Sequence, residues 1–424
     1  MTDPWIAAAA QEIDSRFERD LAALVAVSSP SGDARAAEEA VAVACLALPD
    51  RAEMQRLPCS SPDHADDLLV RLTGTGTGRL LLLGHLDTVV AHGEHRPLVA
   101  LPGGDRQAGS GAVSGDRLAE SGAIDGDRLA GSGAIDMKGG VVLALGVLRA
   151  LAAQAEDYAE VALLLVVDEE WRTAPFAHAQ RFAGWDGCLC FEAGERRSDH
   201  EAVVVRRKAA GALRVTARGR AAHAGSAPDQ GRNALLAVAE VARRLAALHA
   251  PSGPDRLTVV PTILRSGDAL NVVPPSGELI CDVRADRLEA FAGVLAQIPE
   301  RLDGVDLQAE QVRTWPGMDT TALVAAALEA ASALAGRSII AAQRGGASDA
   351  SHLAFTVPQT IDGLGPRGGG AHHPDEFVRR ESVRPRAEVA LALASVLLGE
   401  RGEEDQPEGE GEGEGGLTWP GERR

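Results

Sequence analysis

Short apolar runs that end in a histidine or a carboxylate constrain this chain more than any other feature. GRLLLLGH (78–85) ends at His85, VALLLVVDEE (161–170) ends in three carboxylates, and GCLCFEAG (187–194) carries Glu192 near its end. Between the first two lies a stretch of helical texture, predicted to be a helix over 140–154. Apolar strands alternating with helices predict an α/β fold around a mostly parallel central sheet. In such sheets, sites assemble at the carboxyl ends of the strands. The reactive side chains that close these runs are therefore expected to share one edge.

Size and composition narrow the rest. The chain has 424 residues, more than one ordinary domain and about right for two or three. Hydrophobic residues reach 45% but aromatics only 3%, so the cores must be built from Ala, Val and Leu. The formal net charge of −19 speaks against a nucleic-acid partner, because nothing would neutralise phosphates. No basic cluster suits a membrane surface, and no apolar run approaches the roughly 20 residues that span a bilayer. The opening MTDPWIAAAAQEIDSRF lacks a basic segment followed by an apolar run and predicts no secretory signal. Cys45, Cys59, Cys188, Cys190 and Cys281 have no metal-type spacing and read as free thiols of a reducing cytoplasm.

Along the chain, helices are predicted over 13–27 and 34–48, then strands over 66–72 and 78–85. The glycine run GTGTG between these strands reads as a turn rather than a phosphate loop. GDRQAGSGAVS (104–114), GDRLAESGAID (115–125) and GDRLAGSGAID (126–136) are three tandem copies of an eleven-residue unit. Solenoid repeats are longer and build most of a fold. These copies read as a local duplication in an exposed loop, an insertion over 104–136. Only the third copy runs on into MKGG and the helix, which puts Asp136 at a helix start, where a carboxylate is electrostatically favoured.

From 203 the texture changes. VVVRRKAAGALRVTARG (203–219) reads as one alternating strand, followed by a helix over 232–248, two strands and a helix over 287–300. This order predicts an independent, ferredoxin-like α+β module at 205–313. It divides a catalytic domain into residues 1–204 and 314–399, the second part carrying helices over 320–335 and 381–399. Residues 400–414 hold eight acidic side chains and one Arg, so the tail 400–424 is expected to be disordered.

The reactive side chains suit a pair of divalent metal ions. His85 is followed two positions later by Asp87, a spacing that lets the Asp accept a hydrogen bond from the ring nitrogen facing away from a metal. Asp136, the pair Glu169 and Glu170, Glu192, and a histidine of HHPDEF (372–377) complete the set. Two His, two Glu and one Asp fit two zinc-like ions. A shared carboxylate can bridge ions about 3.5–4 Å apart, and Asp136, short and held at a helix start, is the best bridge. One Glu is left to take a proton from activated water and deliver it to a leaving amine.

HLDTV, GAIDMKGG, VVDEE, FEAG, GGASDA and HHPDEF, in this order, resemble the dizinc metallopeptidase/deacylase family of glutamate carboxypeptidase, acetylornithine deacetylase, succinyl-diaminopimelate desuccinylase and aminoacylase. The resemblance spans roughly residues 10–398. It implies that Asp136 bridges two zinc ions, with cobalt or manganese as alternatives. His85 and Glu192 would hold one ion, and Glu170 and His372 the other. Glu169 would be the general acid/base, with Asp87 behind His85. His372 is chosen over His373 because the family's last ligand precedes a small residue and then Pro-Asp-Glu.

The resemblance also implies that the inserted module is a lid and dimerisation domain. His223, in GRAAHAGSAPDQGRNA, would reach into the partner's site of a homodimer to stabilise an oxyanion. Asn271 and Arg284 would contact substrate, the Arg as a bidentate partner of a terminal carboxylate. Gly345 and Gly346 could offer backbone N–H groups to the same end. His85 and Asp136 are 51 positions apart, longer than the family interval; removing two surplus copies, 22 residues, leaves an ordinary 29. Asp125 then becomes a decoy for the bridge. The expected reaction is hydrolysis of an amide or peptide bond beside a free carboxylate, on a small peptide or N-acyl amino acid. GGGAHHPDEF and FEAG favour a glutamate-carboxypeptidase-like enzyme, with N-acyl-amino-acid deacylase as the alternative. A non-catalytic binding protein on the same fold is disfavoured, because every ligand position and Glu169 carry workable chemistry.

Overall fold

The computed structural model describes residues 2–101, 127–373 and 376–399. The two surplus repeat copies, Asp125 and the acidic tail lie outside the described residues, as do the expectations attached to them.

A six-stranded sheet runs in the order Glu53–Leu57, Asp67–Thr73, Tyr158–Val166, Gly78–His85, Gly187–Cys190 and Thr360–Ile361. The last four strands are mutually parallel. The first two join antiparallel at one edge, so the sheet is mostly parallel. The run Leu80–Leu83 has no exposure at all. Its side chains alternate, as the two-residue strand period requires. Leu80 and Leu82 pack into a core with the helices Pro4–Val25, Gly139–Ala152 and Val383–Gly399. Leu81 and Leu83 face a second core with Phe182, Trp185, Leu353 and Val357. Burial on both faces explains why the run 80–83 is apolar at every position.

The helix Gly139–Ala152 crosses the sheet close to the strand ends. A Cβ at Gly140 would run into the carbonyl oxygen of Phe191, which is why MKGG needs its second glycine. Asp136 sits just before this helix in a non-helical conformation (φ −123°, ψ 92°). The Asp136–Met137 peptide is cis.

The stretch expected as one strand over 203–219 is two. His200–Arg207 belongs to a four-stranded sheet, and Ala209–Arg218 to a five-stranded one. The texture marks the break. Val203, Val204 and Val205 are buried in succession, whereas after 209 buried Leu213, Val215 and Ala217 alternate with outward Arg214, Thr216 and Arg218. The five-stranded antiparallel sheet runs Thr258–Ser266, Ser276–Ala285, Ala209–Arg218, Val305–Trp315 and Arg301–Leu302. With the helices Ala234–Ala246 and Ala290–Leu295 it encloses a core of its own.

The first helix starts earlier than expected, at Pro4. Asp3 caps it by accepting from Trp5 N and Ile6 N at 2.9 and 3.2 Å, with proline in the first turn. Asp-Pro ahead of an apolar-periodic run is a readable start signal. Among the described residues, no helix is long and apolar enough to cross a membrane. All five cysteines are free thiols.

Candidate active site

The carboxyl ends of the parallel strands converge on one cavity of about 440 Å³, within the usual size of a small-molecule site. His85 is the last residue of its strand, Glu169 and Glu170 follow Tyr158–Val166, and Glu192 follows Gly187–Cys190. Asp136 and His372 are delivered by the segments that pack above these ends. The result is two triads, His85–Asp136–Glu192 and Asp136–Glu170–His372, each with potential ligand atoms within 4.8 Å of one another. Asp136 is common to both and divides its oxygens between them. Its Oδ1 lies 3.1 Å from His85 Nε2 and its Oδ2 lies 3.2 Å from His372 Nε2. Glu192 Oε1 is 3.9 Å from His85 Nε2, and Glu170 Oε2 is 3.2 Å from His372 Nε2. Of the two candidate histidines, His372 is the one in a triad; its backbone is left-handed at φ 63°.

Asp87 is buried beneath His85, and its role differs in detail from the expectation. His85 Nδ1 donates to the Asp87 backbone oxygen at 3.0 Å, with Oδ1 farther away at 3.4 Å. The Asp87 carboxylate instead accepts from the backbone N–H groups of Glu169 and Glu170 at 3.2 and 3.0 Å. One residue thus fixes the histidine through its backbone oxygen and aims the glutamate pair through its side chain. The third acid of that run, Asp168, turns away. It is fully buried against Arg172 and accepts from Ser61 at 2.7 Å.

The electrostatics are those of a crowded acidic site. Burial opposes the charged form of Asp136, but hydrogen bonds from His372 and His85 hold its carboxyl well below the usual range. Burial raises Glu192 to about 8, with the charge of Asp136 adding to the effect. Burial also pushes Glu169 well above its ordinary value; His85 works against the shift, while Asp349, Glu192 and Glu170 add to it. Hydrogen bonds to Asp136 and Glu170 lift His372 to about 11. Glu170 Oε1 is buried with no hydrogen-bond partner. Four acids and two histidines facing one space, with an orphaned carboxylate oxygen among them, fit divalent cations that would replace these mutual contacts.

The cavity is also lined by four arginines, of which only Arg284 was expected. Arg207, Arg284, Arg313 and Arg344 line the cavity with Gly346 and Trp315. Arg207 pairs with Asp362 at 2.5 Å, Arg344 with Glu195 at 3.1 Å, and Arg284 with Asp282 at 3.0 Å. Arg313 stacks on Trp315 with 4.1 Å from guanidinium to ring centroid, and donates to the Glu170 carbonyl at 2.9 Å. It pairs with no carboxylate among the described residues. Arg284 also donates to the Gly345 carbonyl at 3.2 Å, so Gly345 stands behind the wall that Gly346 lines. Another missed residue, Glu376, is buried beside the Asp136 segment.

His223 and Asn271 do not line this cavity. They are exposed on the five-stranded module, where Ala224 N donates to the Asn271 carbonyl at 2.8 Å. His223 Nδ1 accepts from the backbone N–H groups of Gly225 and Ser226, both at 3.1 Å. This leaves the ring proton of the neutral imidazole on Nε2.

Residues 81–395 match the Peptidase family M20/M25/M40. Carboxypeptidase G2 of Pseudomonas sp. (strain RS-16) is 26% identical over 342 residues, covering 77% of this chain and 76% of that protein. Among solved structures, a tripeptidase from Staphylococcus aureus superposes with a TM-score of 0.70 at 19% identity, covering 91% of this chain and 98% of its own. A dinuclear metal binding peptidase of the M20 family from Bacillus subtilis does so with 0.61 at 15% identity, covering 92% and 99%. At these identities the two structures speak for the fold. The family match, spanning most of the chain and both triads, says more: this protein belongs to the Peptidase family M20/M25/M40 and is a metal-dependent hydrolase of peptide or amide bonds.

Proposed function

We propose that this enzyme hydrolyses an amide bond beside a free carboxylate, in the manner of a glutamate carboxypeptidase. The observation that carries this reading is the polarity of the cavity. Two acid–histidine triads and four arginines meet there, one of the arginines, Arg313, without a carboxylate partner among the described residues. A substrate carboxylate held by Arg284 and Arg313 would lay the neighbouring amide against the triads. Similarity to carboxypeptidase G2, and to a p-aminobenzoyl-glutamate hydrolase homolog of Haemophilus influenzae over 90 residues at 33% identity, supports an acyl-glutamate substrate.

In this reading His85 and Glu192 would hold one zinc, Glu170 and His372 a second, and Asp136 would serve both; cobalt or manganese could take their place. When bound, such ions supply Lewis acidity that acidifies water and polarises a carbonyl. Glu169 takes the proton of the attacking water and delivers it to the leaving amine. Its buried, acid-crowded setting favours the protonated form that the second half of this task requires. Asp87 keeps Glu169 and Glu170 aimed through their backbone N–H groups.

The active form is a homodimer in which the partner's His223 donates Nε2–H to the developing oxyanion and the partner's Asn271 contacts substrate. The tautomer fixed by Gly225 and Ser226 supports that role, as does the exposure of both residues. The test is a kcat/KM panel of dipeptides, acyl-glutamates and N-acetyl amino acids with added zinc. Acyl-glutamates are expected to be the best substrates. Preference for N-acetyl amino acids with neutral side chains would make the enzyme a deacylase instead.

A further inference from the structure

The segment that brings His372 to the site also reaches across to the other triad. Four residues after His372, Glu376 is 1% exposed and lines no part of the cavity. Its carboxylate gathers three backbone donors from the turn that carries Asp136. Oε1 accepts from Ile135 N and Asp136 N, both at 2.7 Å, and Oε2 accepts from Gly133 N at 3.1 Å. The backbone is tied at the same place. Gly131 N donates to the Glu376 carbonyl at 3.0 Å, and Phe377 pairs with Ala130. On the other side, Glu376 N donates to the His373 carbonyl at 3.1 Å, directly beside His372.

We propose that Glu376 is a positioning residue that sets the Asp136 carboxylate between the two triads and ties its placement to that of His372. The turn 133–136 precedes the helix, so its N–H groups lack helical acceptors and need another one. Three donors converging on one point call for a carboxylate. An amide has one acceptor oxygen, and its NH₂ would oppose the N–H of Gly133. Charge-assisted bonds of this kind are short and directional. Their direction matters because Asp136 must present one oxygen to each triad, at 3.1 and 3.2 Å. A turn free to swing would serve one triad at the expense of the other.

This proposal rests on the reading of Asp136 as the shared ligand, so the experiment separates the two. Zinc affinity and stoichiometry of the full chain are measured by chelator competition for wild type, Glu376→Gln, Glu376→Ala and Asp136→Asn, at a temperature where circular dichroism shows each protein folded. Partners that orient metal ligands typically contribute 10–100-fold in affinity. Glu376→Ala is expected to weaken zinc binding about 100-fold and Glu376→Gln, which keeps the two bonds to Oε1, about 10-fold. A purely structural role would lower the melting temperature of the metal-free variants and leave the zinc affinity of the folded protein unchanged; that result overturns the proposal. Should Glu376→Ala not fold, the nearly isosteric Glu376→Gln decides by the same reading. Wild-type zinc binding by Asp136→Asn would instead refute the shared-ligand reading itself.

Discussion

The two triads share Asp136 but are built from different material. His85 ends a strand at the centre of the sheet, and Glu192 follows the neighbouring strand; their side chains are 2% and 14% exposed. Glu170 and His372 come from connecting segments, and the His372 side chain is 54% exposed. The ladder that pairs Leu83 with Leu164 and Cys190 sets the first triad. The second depends on local ties: Asp87 on the Glu170 backbone, and the turn around His372. The difference teaches that one triad is written into the sheet, whereas the other must be assembled by loops.

Removing the shared ligand should erase the comparison altogether. Asp136→Ala is expected to lose both ions and all turnover above background, measured as metal content and activity on one sample. Retention of one tightly bound ion would show that the strand-borne triad needs no bridge. Glu169→Ala should do the converse, leaving both triads loaded while turnover falls about 10²–10⁴-fold. Near-wild-type turnover would take Glu169 out of the mechanism.

The histidines sharpen the contrast between the triads. His372→Ala should release one ion at low metal concentration with little change in metal-free stability. His85→Ala should in addition destabilise the metal-free fold by about 1–3 kcal/mol, because it strands buried carboxylates. Equal melting temperatures for the two variants would contradict the assignment of strand and loop roles.

The smallest effect is a pH dependence. Burial raises Glu192 from its ordinary 4.5 to about 8. The folded metal-free protein therefore holds a proton that the unfolded chain releases. The contribution is complete below pH 4.5 and is lost as pH rises toward 8. His372, raised from 6.5 to about 11, acts in the same direction over a higher window, discounted for its exposure. Melting of the metal-free protein should therefore fall by a few degrees between pH 6 and pH 8. Saturating zinc, which favours the ionised carboxylate, should abolish the decline. A flat profile without metal would contradict the crowding of the site.

What the sequence reveals follows from chain locality. His85, Glu169, Glu170 and Glu192 are legible because each ends or follows an apolar strand whose carboxyl end lies at the same edge. Asp136 is legible through the MKGG that follows it, whose second glycine is needed under Phe191. The two-strand nature of 200–218 is visible in the switch from continuous to alternating burial, yet nothing local marks Lys208 as the crossing point. Arg313 and Glu376 escape because their partners are remote in sequence: Arg313 donates to the Glu170 carbonyl 143 positions earlier, and Glu376 binds a turn some 240 positions earlier. The split fates of Asp168, Glu169 and Glu170 likewise depend on Arg172 and Asp87, not on the run itself.

The central claim is that both triads are metal sites in the working enzyme. Titrating divalent metal into the chelator-stripped wild-type protein, with bound metal and hydrolysis measured at each step, tests it most directly. The predicted result is that full activity accompanies two bound ions per chain. Full activity in protein holding no bound divalent ion would contradict it.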